Sequence, residues 1–209
     1  MKARIFSLSV LVFVLLPQLA TAADESYSLL VYGDSLSAAY GISEEQGWVT
    51  LLEEKIDSEK WPYRVTNGSV SGETTTGGLE RLPAMLDSFA PDLVILELGG
   101  NDGLRGLPIE LMKANLQKMI EMIRSSGAEV LLAGIQIPPN YGPRYTEPFF
   151  EVFGEIAKED VLPLVPFLID GIPQQPELMQ NDGIHPRAEA QFMILENVWP
   201  HLEPMLKKS

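Results

Sequence analysis

The stretch Leu93-Val94-Ile95-Leu96 contains four consecutive apolar residues, and Val130-Leu131-Leu132-Ala133 repeats the pattern further along the chain. A strand exposed on one face alternates apolar and polar residues, whereas a strand inside a parallel sheet is buried on both faces and is apolar throughout. Both stretches are therefore predicted to be strands of a parallel sheet that helices cover on both sides.

Three further segments are predicted to belong to the same sheet. In chain order, the five predicted strands are 29–32, 63–67, 93–98, 130–135 and 161–165. Apolar residues at helical spacing predict helices between them, at 48–56, 79–86 and 111–123. Strands that alternate with helices predict an α/β fold with a doubly wound, mostly parallel sheet.

The first residues have the pattern of a signal peptide. Lys2 and Arg4 precede an apolar run, and Ala20-Thr21-Ala22 matches the small-x-small cleavage pattern. A membrane anchor is the alternative, but the run is shorter than the roughly 20 residues that span a bilayer. We expect residues 1–22 to be removed and residues 23–209 to form one domain exported to the periplasm.

The composition excludes several classes of function. The absence of cysteine excludes disulfides, thiol nucleophiles and thiolate metal sites. The chain has 29 acidic and 15 basic residues, and this net charge of −14 opposes binding to nucleic acid or to anionic membranes. No phosphate-binding or dinucleotide motif is present. We expect a monomer with no metal, no cofactor, no nucleic-acid partner and no stable membrane insertion.

The segment Gly33-Asp34-Ser35-Leu36-Ser37 contains a candidate nucleophile, Ser35. Alone, Gly-Asp-Ser is a common turn, and a structural serine is then the better interpretation. Ligands of parallel sheets bind beyond the carboxyl ends of the strands, however, and Ser35 follows the first predicted strand. The glycine permits a tight turn here, and we expect a helix to begin at Leu36 with its positive dipole end directed at the site.

A serine nucleophile needs a base, and the chain contains only two histidines, His185 and His201. Asp182 lies three residues before His185, where its carboxylate can accept the Nδ1 proton and orient the ring. Capping of a C-terminal helix is the alternative role of Asp182. His201 has no comparable carboxylate upstream and follows Pro200, so a structural role is expected. His185 is therefore the predicted general base.

Two more candidates follow the second and third predicted strands. Gly72 ends the segment after the second strand, and Asn101 lies in Gly99-Gly100-Asn101-Asp102 after the third. Each segment by itself could be an ordinary turn. Together with the backbone N–H of Ser35, the N–H of Gly72 and the amide of Asn101 would give three hydrogen-bond donors to an oxyanion.

At these segments the chain resembles the SGNH, or GDSL, hydrolase family. Ser35, Gly72, Asn101 and His185 match the four residues that give the family its name. The stretches 33–40, 97–106 and 179–186 are most similar to its periplasmic thioesterases, proteases, lysophospholipases and arylesterases. The resemblance implies a three-layer α/β/α, flavodoxin-like fold and hydrolysis of acyl esters and thioesters.

The resemblance also implies a mobile loop at residues 102–109 that responds to bound acyl chains. Leu104, Leu107 and Ile109 would supply apolar contacts to the substrate, with an ordinary hydrophobic loop anchor as the alternative. Two other functions stay open on the same scaffold. One is a carbohydrate O-deacetylase, and the other is a non-catalytic periplasmic protein that binds lipid.

Overall fold

The computed structural model describes residues 26–207, which form one five-stranded sheet with α-helices on both faces. The strands are β1 (Tyr27–Gly33), β2 (Tyr63–Asn67), β3 (Leu93–Glu97), β4 (Glu129–Ala133) and β5 (Leu164–Val165). The α-helices are α1 (Trp48–Ser58), α2 (Thr75–Phe89), α3 (Gly100–Leu104), α4 (Ile109–Ser125), α5 (Pro143–Glu159) and α6 (Gln191–Leu202). The predicted signal peptide, residues 1–22, lies outside the described part of the chain.

The sheet has the strand order β2-β1-β3-β4-β5, and all neighbouring strands are parallel. Helices α1 and α6 cover one face, while α2, α4 and α5 cover the other. The predicted three-layer α/β/α architecture is therefore confirmed. Within residues 26–207, no helix has both the length and the apolar character that crossing a membrane requires.

Two hydrophobic cores, one on each face of the sheet, explain why the central strands are largely apolar. Leu29 and Val31 of β1 pack in the core that includes α1 and α6. Leu30 and Tyr32 of the same strand point the other way, into the core that includes α2 and α4. Successive side chains of a strand alternate between faces, so a doubly covered strand is expected to be mainly apolar on both faces.

The predicted helix at Leu36 is wrong. Residues 35–41 form successive turns, in which the N–H groups of Ser37 and Ala38 donate to the carbonyl oxygen of Asp34 at 3.3 and 3.0 Å. Ala39 has a φ of 55°, which interrupts any right-handed helix at this point. The first α-helix after β1 is α1, so no α-helix dipole points at Ser35 from this segment.

The last strand is also shorter than predicted. Val161, the first residue of the predicted strand, has a φ of 51° and is 83% exposed. The N–H of Leu162 donates to the carbonyl oxygen of Ala157 at 2.8 Å, which satisfies the end of α5. A left-handed residue with such a hydrogen bond is a common way to end a helix. Val161 therefore belongs to a helix cap, and β5 begins at Leu164.

Candidate active site

The strand order reverses between β1 and β3, and a crevice forms beyond the carboxyl ends of these two strands. Ser35 follows β1, and Asn101 lies in the short helix α3 that follows β3. Both residues line the same cavity. The loop before α6 brings His185 to the same place, so residues from three distant segments meet here.

Ser35, His185 and Asp182 form a continuous chain of hydrogen bonds. The Oγ of Ser35 lies 2.8 Å from Nε2 of His185, and Nδ1 of His185 lies 2.7 Å from Oδ2 of Asp182. A carboxylate can only accept, so Nδ1 carries the proton in this pair. In the neutral imidazole, Nε2 is then free to accept the hydroxyl proton of Ser35.

Asp182 is held in its ionised form. Partial burial opposes ionisation, but hydrogen bonds from the His185 ring and from the N–H groups of Ile184 and His185 outweigh it and lower the pKa of Asp182. These two N–H groups donate to Oδ1 at 2.9 and 3.1 Å, while Oδ2 receives the imidazole. Asp182 thus orders its own turn, and α6 begins only at Gln191.

Gln180 is a site residue that sequence reasoning missed. Its Nε2 donates to the carbonyl oxygens of Tyr40 (2.8 Å) and Pro186 (3.0 Å), and its backbone N–H donates to the carbonyl oxygen of His185 (2.8 Å). The ring of Tyr40 packs against the His185 imidazole with a centroid separation of 4.4 Å. Gln180 therefore joins the segment after Ser35 to the loop that carries the histidine.

Asp34, which sequence reasoning also missed, orients Asn101. The Nδ2 of Asn101 donates to Oδ2 of Asp34 at 3.0 Å, and the N–H of Leu36 donates to Oδ1 at 3.1 Å. Burial raises the pKa of Asp34 to about 6, although these two hydrogen bonds and the nearby His185 act in the opposite direction. At neutral pH the carboxylate of Asp34 is therefore ionised and accepts a hydrogen bond from one N–H of the Asn101 amide. The second amide proton is left for another acceptor.

Gly72 lies in the turn between β2 and α2, with a φ of 83° that favours glycine. Its carbonyl oxygen accepts a hydrogen bond from Nη2 of Arg105 at 2.9 Å. The residue is exposed and is not among those that line the cavity with Ser35. Its N–H as an oxyanion donor stays a prediction.

The cavity beside Ser35 has a volume of about 580 Å³ and a mainly apolar wall. This wall includes buried side chains from the segments that follow β4 and β5 and from the loop before α6, together with partly buried side chains of α5. The main apolar contributors are Ile135, Ile137, Phe150, Phe167, Ile169 and Met179. Such a volume and lining are typical of a pocket for a small, largely apolar ligand.

The three residues predicted to contact the substrate differ in their position relative to the cavity. Leu104 lines the cavity, whereas Leu107 and Ile109 do not, and Ile109 packs against the hydrophobic core instead. The segment is also less irregular than the predicted loop, because α3 extends to Leu104 and α4 starts at Ile109. Two tyrosines hold it: Tyr141 and Tyr145 donate to the carbonyl oxygens of Leu104 and Leu107, each at 2.9 Å.

The part of the chain that the structure describes contains no candidate metal centre. Across residues 26–207, no group of three or more His, Asp or Glu side chains is arranged to hold a metal ion. His201 lies in the last turn of α6, next to Pro200, and does not enter the hydrogen-bonded chain of Ser35.

Comparisons with known proteins show which family this chain resembles. A model of the GDSL-like Lipase/Acylhydrolase family matches residues 31–191. Esterase TesA from Pseudomonas aeruginosa is 50% identical over 206 residues, which cover 99% of this chain and 100% of that protein. Thioesterase 1/protease 1/lysophospholipase L1 from Escherichia coli is 42% identical over 196 residues, covering 94% and 91% respectively. The crystal structure of TesA matches with a TM-score of 0.84 and 52% identity, over 86% of this chain and 99% of that one.

Proposed function

Because the chain belongs to the GDSL-like lipase/acylhydrolase family, we propose that it hydrolyses acyl esters and thioesters through a covalent intermediate on Ser35. The observation that carries this proposal is the hydrogen-bonded chain Ser35–His185–Asp182 beside an apolar cavity. A serine hydroxyl alone is a weak nucleophile, and the adjacent imidazole supplies the base that activates it.

In the first half of the reaction, Ser35 Oγ attacks the acyl carbonyl carbon while its proton moves to Nε2 of His185. The imidazolium that forms is stabilised by the carboxylate of Asp182. The second amide proton of Asn101 and the backbone N–H of Ser35 donate to the oxyanion, and the Gly72 N–H is the third proposed donor. His185 then protonates the leaving alcohol or thiol, and the acyl group stays on Ser35.

In the second half, water takes the place of the alcohol. His185 accepts a proton from the water as its oxygen attacks the acyl-enzyme carbonyl carbon, and the same donors receive the oxyanion. Collapse of this intermediate breaks the bond to Ser35 Oγ, which recovers its proton from His185. The products are a carboxylic acid and the free enzyme, and the kinetics are of the ping-pong type.

The apolar cavity supports a preference for ester substrates whose acyl chain is of medium to long length. Each buried methylene contributes about 0.8 kcal/mol, so an apolar wall of this extent favours fatty acyl esters, lysophospholipids and aryl esters with long acyl groups. A carbohydrate O-deacetylase needs only a small acyl pocket together with polar contacts to the sugar. The apolar lining therefore favours the lipid esterase over that alternative.

We also propose that the enzyme is exported, with residues 1–22 removed and the mature chain in the periplasm. The motif at Ala20-Thr21-Ala22 supports this proposal. Mass spectrometry of the protein from the periplasmic fraction should give a chain that begins at Ala23. A protein that keeps residues 1–22 would contradict the proposed cleavage.

The central experiment measures hydrolysis of p-nitrophenyl esters from acetyl to dodecanoyl by the wild type and by Ser35→Ala. Ser43→Ala, a change at an exposed serine outside the cavity, serves as the matched control. We expect Ser35→Ala to lose turnover while it keeps the melting temperature and circular dichroism of the wild type. Near-normal activity in this variant would exclude Ser35 as the nucleophile.

A second readout separates an enzyme from a lipid-binding protein. A fluorophosphonate should label the wild type at Ser35 and leave Ser35→Ala unlabelled, as shown by peptide mass. Absence of both labelling and ester hydrolysis in a folded protein would support the non-catalytic alternative.

A further inference from the structure

Glu97 has a fully buried carboxyl group that lies next to the segment that carries Ser35. It is the last residue of β3, the central strand of the sheet, and it lies opposite Gly33 of β1 in the strand register. The other β3 residues are apolar and fill the two cores. Burial of a carboxyl group in the middle of a sheet is costly unless the group is hydrogen-bonded or neutral.

The contacts of Glu97 converge on the residues that flank Ser35. Its Oε2 accepts a hydrogen bond from the N–H of Asp34 at 3.2 Å and from the Oγ of Ser37 at 2.7 Å. Its Oε1 is buried without a hydrogen-bond partner among the described residues. One carboxyl oxygen thus holds both sides of the turn that presents Ser35.

Gly33 makes this approach possible. A Cβ atom at position 33 would collide with Oε2 of Glu97, and it would also crowd the Oγ of Ser37. The φ of Gly33 is not in the left-handed region, so the glycine is needed here for space. The absence of a side chain at Gly33 therefore leaves the space that the carboxyl group of Glu97 occupies.

The hydrogen bonds extend from Glu97 through Asp34 to Asn101, the proposed oxyanion donor. Asp34, whose N–H is held by Glu97, uses its own carboxylate to hold the amide of Asn101. A shift of Glu97 would therefore displace both the turn around Ser35 and the Asn101 amide. None of these contacts passes through His185 or Asp182.

We propose that Glu97 is a positioning residue whose neutral carboxyl group fixes the turn of Ser35 and, through Asp34, the Asn101 amide. The proposal rests on the function proposed above for Ser35 and Asn101. With Oε2 as the acceptor of two hydrogen bonds, the proton of the neutral acid resides on Oε1, the oxygen without a partner. A carboxylate at this position would leave negative charge on a buried oxygen beside a second acid.

The electrostatics agree with a neutral Glu97. Burial raises the pKa of Glu97 well above its ordinary value, and the negative charge of Asp34 raises it further, while the hydrogen bonds from Ser37 and Asp34 act in the opposite direction. Asp34 is the charged group that acts on Glu97, and His185 acts on Asp34. Both effects favour the protonated form of Glu97 beside the Asp34 carboxylate.

The kinetic test compares Glu97→Gln, which keeps a neutral acceptor of the same shape, with Glu97→Leu, which removes the acceptor. We expect Glu97→Gln to keep kcat within about threefold of the wild type on octanoyl p-nitrophenyl ester, with KM unchanged. Glu97→Leu should lower kcat by about tenfold to a hundredfold at similar KM, because small displacements of reacting groups have effects of this order. Wild-type kcat in a folded Glu97→Leu, or a loss above tenfold in Glu97→Gln, would overturn the proposal.

A stability measurement tests the neutral state independently, even if Glu97→Leu does not fold. Above its ordinary pKa, Glu97 is ionised in the unfolded chain and protonated in the native protein, so folding takes up one proton. As the pH rises above 4.5, the ordinary pKa of Glu97, the unfolding equilibrium constant of the wild type should therefore rise relative to that of Glu97→Gln, by up to about tenfold per pH unit, until the raised native pKa is reached. Parallel profiles of the two proteins would show that native Glu97 is ionised, which overturns the proposal.

These outcomes are distinct from a failure of the proposed function. If the wild type hydrolyses no ester and Ser35 takes no fluorophosphonate label, the enzymatic assignment itself fails. If the wild type is active and labelled, the two Glu97 variants decide the positioning role alone.

Discussion

The side-chain amide of Gln180 donates to the carbonyl oxygen of Tyr40 at 2.8 Å, and this hydrogen bond joins the two loops that carry the proposed nucleophile, Ser35, and its proposed base, His185. The same amide also holds the carbonyl oxygen of Pro186, directly after His185. The ring of Tyr40 in turn packs against the imidazole. The distance between Ser35 and His185 thus depends on a residue that has no role in the proposed proton transfer.

Gln180→Ala should lower kcat by about tenfold, because loss of the link lets the histidine loop move relative to Ser35. The melting temperature should fall by only a few degrees, since a typical hydrogen bond contributes about 1 kcal/mol. Gln175→Ala is the matched control, because Gln175 also donates a side-chain hydrogen bond to a backbone carbonyl, that of Gly171 at 2.8 Å. Equal losses of kcat in both variants would show that the lower kcat of Gln180→Ala comes from general loosening of the loop before α6 and not from loss of the hydrogen bond to Tyr40.

Asn101→Ala should lower kcat by about a hundredfold or more and leave KM nearly unchanged, because its amide acts on the oxyanion and not on the bound ester. Steady-state kinetics on one ester give both constants. Asn140→Ala, at an exposed position outside the cavity lining, provides the control. A rise in KM with normal kcat would instead assign Asn101 to ground-state binding.

Phe150→Ala should reduce kcat/KM for long acyl chains more than for acetyl esters, because Phe150 is part of the apolar wall of the cavity. The ratio of dodecanoyl to acetyl hydrolysis is the quantity to measure. Phe192→Ala, which truncates a phenylalanine that is 58% exposed and outside the cavity lining, should leave this ratio unchanged. A ratio that is equal in both variants would place the acyl chain elsewhere.

The stability difference between the wild type and Asp182→Asn should depend on pH. The pKa of Asp182 is lowered in the folded protein, so its carboxylate stabilises the fold above its ordinary pKa of 3.8. This contribution is lost as the pH falls through the lowered folded value. Melting temperatures should therefore differ by a constant amount near neutral pH and converge at acidic pH. A difference that grows on acidification would contradict the lowered pKa.

Much of the fold follows from local sequence patterns. The strands β1 to β4 were predicted within a few residues. A doubly covered strand leaves an apolar run that few other structures produce, as in β1, β3 and β4, whereas β2 lies at the edge of the sheet and has polar residues. Helix α5 is different. Its first turn contains Pro143 and it also includes Pro148, so the segment resembles a loop, although the spacing of Phe149, Val152, Phe153 and Ile156 is helical. Proline is compatible with the first turn of a helix, which accounts for Pro143 but not for Pro148, and the apolar spacing is the better signal of α5.

Some residues of the candidate site could also be predicted from the sequence, and others could not. Ser35, Asn101, Asp182 and His185 could be predicted because each has a chemical function that its residue type and neighbours indicate. Gln180 and Glu97 could not, because their roles depend on which backbone groups lie beside them after folding. The glycine at position 33 was predicted to permit a tight turn, whereas its place opposite Glu97 follows only from the strand register.

The wide separation of Ser35 from His185 along the chain has a consequence for biosynthesis. Ser35 is translated early, but its imidazole partner is 150 residues away in sequence. A growing polypeptide therefore carries only an inert hydroxyl until nearly the whole sheet and the loop before α6 are in place. An incomplete chain lacks the proposed base, and we expect esterase activity during refolding to begin only when the loop before α6 is in place.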